Sequence, residues 1–141
     1  MDNLKEKLKI EFANLDLILN ELPPFDRLCS LSILELAGVS TLIHNFYNGI
    51  ENVLKLTLNS CQIPLPTGSS WHKELLNLAL EKHLISTATR NALGEYLAFR
   101  HFFIHAYALD LYPEKMEPLV AKCEAVYWIF KHEIQEFIVT I

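Results

Sequence analysis

The chain has 141 residues, 51% of them hydrophobic and 21% charged, the balance of one globular domain that builds its own core without staples. That composition excludes a disordered segment. The net charge of −5 excludes a protein that grips long nucleic acid through a broad basic face, so any RNA contact requires positive charge gathered in a small cleft.

Only four glycines occur, and leucine, alanine, glutamate and lysine fill long stretches, which favours helix over sheet. The expected fold is all-α: one domain over residues 1–141, an up-and-down bundle of four to five helices. Cys29, Cys61 and Cys123 are odd in number and form no CxxC pair, as expected of reduced thiols. MDNLKEKLK at the start carries no following apolar run, and no window offers the roughly 18 uncharged apolar residues of a spanning helix. The expectation is a cytoplasmic protein with no membrane partner.

In chain order, Leu4, Leu8, Phe12, Leu15, Leu19 and Leu22 recur at spacings of three and four, one amphipathic helix that Pro23 and Pro24 end. An almost unbroken helical pattern then runs from about Asp26 to Asn59, in which Gly38 and Gly49 mark points of close helix approach. CQIPLPTGSS, Cys61 to Ser70, is the clearest loop. Ser70 is placed to cap a short helix from Trp71 to about Lys82. Another helix runs from Ser86 or Thr87 to Leu111. Pro113 opens the last, patterned by Met116, Leu119, Cys123, Val126, Phe130, Ile134 and Phe137. Short connections favour antiparallel neighbours.

The stretch Leu97 to Leu109, LAFRHFFIHAYAL, is where chemistry concentrates. Nine of its thirteen residues are apolar and the exceptions are Arg100, His101, His105 and Tyr107. A helix this apolar is buried over most of its surface, so its arginine and histidines must find partners or be used. Leu93, Leu97 and Ile104 mark one apolar stripe, and Tyr96, Phe99 and Phe103 a second. Together they exceed what a monomeric bundle buries, and a homodimer formed through this helix follows as an expectation. Arg100 and His105 stand about 140° apart around an ideal helix. One helix face does not unite them, so the site needs either a kink with the long reach of arginine or a cleft composed by two protomers.

The string Arg100, His101, three residues, His105, one residue, Tyr107 resembles the signature of the HepT-like toxins, small helical ribonucleases of the HEPN (higher eukaryotes and prokaryotes nucleotide-binding) superfamily. YNGIEN from Tyr47 to Asn52 and SWHKEL from Ser70 to Leu75 are similar to segments of the same group, in the same order. Glu51 and Lys55 match the glutamate, three residues, lysine pair that accompanies many HEPN domains. The resemblance implies metal-independent, cofactor-free RNA cleavage. Arg100 would hold the scissile phosphate and His105 act as general acid–base, with His101, Glu51 and Lys55 in support. It also implies a type VII toxin-antitoxin system, in which a minimal nucleotidyltransferase antitoxin transfers AMP to Tyr107. RNA, that antitoxin and a second copy of the chain are the implied partners; DNA is not. The alternative within the same fold is a non-catalytic nucleotide- or partner-binding subunit of a nucleotidyltransferase. Ile104 departs from the pattern, standing where a basic residue often precedes the histidine.

Blander readings compete at each position. A lone arginine on an apolar helix is more often one half of a buried salt bridge than a catalyst, and the adjacent motifs are what favour catalysis at Arg100. His101 and His105, at i and i+4, have metal-ligand spacing, but neither an HExxH string nor a nearby carboxylate accompanies them. Glu51 and Lys55 form an ordinary i, i+4 surface pair. Packing and capping account for Trp71 and His72, and His44, His83 and His132 carry no motif. Phe99, Phe102 and Phe103 belong to core or interface. Glu133 and Glu136 lie on a solvated face.

Overall fold

The computed structural model describes residues 2–105 and 111–141, five α-helices and one short 3-10 helix with no strand among them. The helices are α1 (Asp2–Glu21), α2 (Ile33–Ser60), α3 (Trp71–Glu81), α4 (Thr87–His105) and α5 (Pro113–Thr140), with the 3-10 turn at Phe25–Ser30. No described helix is long and apolar enough to cross a membrane.

The pattern read from α1 is the packed face: Leu4, Leu8, Phe12 and Leu15 are buried. They lie along α2, the central helix, which also meets α3, α4 and α5. On α2 the buried positions Leu36, Val39, Ile43, Phe46, Ile50, Val53, Leu54 and Leu58 occupy more than one face, as a helix with neighbours on several sides requires. Three tyrosines complete the core, and two of them meet its polar demand. Tyr96 donates to the Leu119 carbonyl at 2.6 Å, and Tyr127 to Asp16 at 2.6 Å and to the Phe12 carbonyl at 3.2 Å.

The helix expected from Asp26 to Asn59 is instead two elements. Pro23 and Pro24 lead into the 3-10 turn, and Ser32 and Glu35 then build a reciprocal capping box that starts α2 afresh. Apolar residues on both sides of Ser32 hide that break from a periodicity count. Gly49 is a point of close approach, where an added Cβ would stand 2.6 Å from Leu15 Cδ2; Gly38 has nothing within 4 Å and is not. Ser70 holds the cap position of α3 without a side-chain capping bond; its hydroxyl meets the Glu74 carboxylate at 3.2 Å. Glu133 is not merely solvated, because its carboxylate accepts the Ser86 backbone N–H at 3.2 Å where α4 begins. Leu111 is not helical.

Candidate active site

Five polar or partly polar residues of α2, His44, Tyr47, Asn48, Glu51 and Lys55, recur at i, i+3, i+4, i+7 and i+11. That spacing puts them in one stripe along the helix. α4 lies antiparallel across it: His44 meets Phe103, ring centroids 5.1 Å apart, and Asn48 meets Arg100. α3 closes the far end, bringing His72 to Glu51 and Trp71 to Lys55. The result is a polar seam walled by three helices.

Arg100 is half-buried in this seam. Its Nε reaches Asn48 Oδ1 at 3.4 Å, a long contact to a neutral acceptor, and among the described residues it makes no ion pair. The competing salt-bridge role therefore has no ion pair to support it among the described residues. Beside it, His44 Nδ1 and the Tyr47 hydroxyl are buried with no hydrogen-bond partner among the described residues. Desolvation lowers the pKa of His44, and the Arg100 charge lowers it further against an opposing pull from Glu51. Burial, and then the Glu51 carboxylate, raise that of Tyr47. The seam thus holds a cation outside any described ion pair, next to two buried polar atoms.

Glu51 does not pair with Lys55. Only 4% of its side chain is exposed, and it accepts from His72 Nδ1 at 2.7 Å, while Lys55 Nζ stands 4.4 Å above the Trp71 ring. Trp71 and His72 stack at 3.6 Å. Burying a carboxylate carries a desolvation cost of several kcal/mol unless a hydrogen-bonded cation or donor faces it, which is why α3 must deliver His72 to this point.

His101 and His105 are exposed and touch each other, ring centroids 4.9 Å apart. They share a face of α4 different from the one by which Arg100 meets α2. The helix geometry that separates Arg100 from His105 on paper therefore persists, and no kink unites them within the described part of α4. Tyr107 lies outside the described residues. No group of three or more metal-ligating side chains occurs among the described residues.

His44, Asn48 and His72 belong to the seam; Asn48 and His72 stand inside the YNGIEN and SWHKEL segments without a role assigned there, and His44 carries no motif. A signal existed for the first two: polar residues at helical spacing on an otherwise apolar helix. The pairing of His72 with Glu51 crosses 21 residues of sequence and leaves no local signature. Grooves of about 520 Å³ between α1 and α5, and of about 600 Å³ beside Pro23 and Pro24, are lined by other residues.

The model of the family described as HepT-like protein matches residues 38–141. No curated protein and no solved structure matches the chain. The matched span runs from within α2 to the end of α5 and holds every residue of the seam, so the chain belongs to the HepT-like family of the HEPN superfamily.

Proposed function

We propose that this protein is a metal-independent endoribonuclease, the toxin of a type VII toxin-antitoxin pair. The observation that carries the reading is Arg100: a half-buried guanidinium on an apolar helix, with a long contact to a neutral amide and no ion pair among the described residues. Its planar fork of donors suits a phosphodiester and the charge that develops on it. His105 acts as the general acid–base, and His101, 4.9 Å away ring to ring, orients it. The ribose 2′-oxygen attacks phosphorus, the bond to the 5′-oxygen breaks, and a 2′,3′-cyclic phosphate remains. Because Arg100 and His105 point from different faces of α4, two protomers share one cleft. AMP on Tyr107, placed there by a minimal nucleotidyltransferase, supplies a competing phosphate for Arg100 and repels RNA.

The test is incubation of unmodified protein with total cellular RNA in excess EDTA, beside Arg100→Ala and His105→Ala. Cleavage by the parent with cyclic phosphate ends is expected, reduced by roughly 10²–10⁴ in each variant. A folded, unmodified protein that cuts no RNA class removes the ribonuclease reading and leaves the nucleotidyltransferase-partner alternative.

A further inference from the structure

Forming a cyclic phosphate requires two proton transfers on opposite sides of phosphorus, one from the 2′-hydroxyl and one to the departing 5′-oxygen. His105 supplies one imidazole. We propose that His72, held by Glu51, supplies the other, as the general base of the site; this assignment rests on the ribonuclease reading above.

The geometry of the pair is that of a carboxylate–imidazole dyad. An ionised carboxylate only accepts, so His72 Nδ1 is the donor in their 2.7 Å contact, and in the neutral ring Nε2 is left with a lone pair. The Glu51 side chain is 4% exposed and that of His72 is 21%, so the anchor is buried while the ring reaches the surface. Stacking on Trp71 at 3.6 Å sets the plane of the ring. A base held by one buried group and oriented by another is the arrangement that nucleophile activation uses.

Its place in the seam suits the task. Glu51 stands three residues beyond Asn48, the contact of Arg100, which is about 4.5 Å along the α2 axis. His72 lies toward the Lys55 end of the seam, one turn of α2 from the contact of Arg100. His105, on another face of α4, comes to the phosphate on Arg100 from the second protomer of the shared cleft. In the step, His72 Nε2 takes the 2′-hydroxyl proton, the 2′-oxygen–phosphorus bond forms, and the 5′-oxygen leaves with a proton from His105. Glu51 faces the charge that the His72 ring acquires. No further reactant is required.

The test compares parent, His72→Gln and His72→Ala on total RNA in EDTA, with thermal melting of each. Glutamine keeps an N–H donor for Glu51 and offers no basic nitrogen. A folded His72→Gln protein with kcat reduced roughly 10²–10⁴ and KM unchanged is expected. Added imidazole should restore part of the activity of His72→Ala, which a purely structural role would not allow. An active parent with an equally active His72→Gln, or a His72→Ala that imidazole leaves inert, overturns the assignment while the ribonuclease reading stands. An inert parent overturns both.

Discussion

His44 combines burial of a nitrogen that has no partner among the described residues with a neighbouring guanidinium, and both conditions oppose its protonation. Its pKa is lowered from 6.5 in the folded protein, so the unfolded chain binds more protons wherever the two differ. Stability that is complete above about pH 6.5 is therefore lost as the pH falls below it. The charged groups facing the ring are Arg100 from α4 and Glu51 from α2. The expected outcome is a melting temperature that drops more steeply between about pH 7 and pH 5 in the parent than in His44→Gln. Equal slopes would mean that the ring finds a partner for its proton. Arg100 itself is legible in the sequence because one cation interrupts an apolar run. His44 is not, since a histidine among leucines looks the same whether its nitrogens are satisfied or stranded.

Helices α1 and α2 approach most closely where Gly49 meets Leu15, and the two glycines of α2 make opposite demands. At Gly49 a methyl group would stand 2.6 Å from Leu15 Cδ2, and Leu15 is fully buried with little room to yield. Overpacking there costs about 1–3 kcal/mol, more than the gain of up to about 1 kcal/mol from better helix propensity. Gly38 meets nothing and collects only the gain. Denaturant midpoints should therefore fall in Gly49→Ala and rise in Gly38→Ala; a rise in both would show that Leu15 relaxes freely. Apolar spacing alone marks the packed faces of α1 and α5, because each has one broad buried stripe. It misses the break before α2, since a capping box is written in two residues, Ser32 and Glu35, and the apolar pattern continues across it. It also misses the link between α3 and α2, where Glu51 takes His72 rather than Lys55, because a contact between helices has no period in the chain.

Across the whole molecule, a charge of −5 surrounds a seam whose positive groups are few. If only two cations contact phosphate, the affinity for a non-cleavable single-stranded oligonucleotide should fall roughly sevenfold between 50 and 200 mM salt. A much steeper dependence, read from binding isotherms, would reveal a wider basic surface assembled by two protomers. The placement of Trp71 has one more consequence. The chain has two tryptophans; Trp128 stands 53% exposed on α5, whereas Trp71 lies between α2 and α3 with the His72 ring stacked on it and Lys55 over it. Indole emission depends on such neighbours, so a Trp128→Phe protein carries a single tryptophan, excited selectively over the tyrosines, inside the seam. Occupancy of the cleft then becomes an optical signal in solution, read without a label.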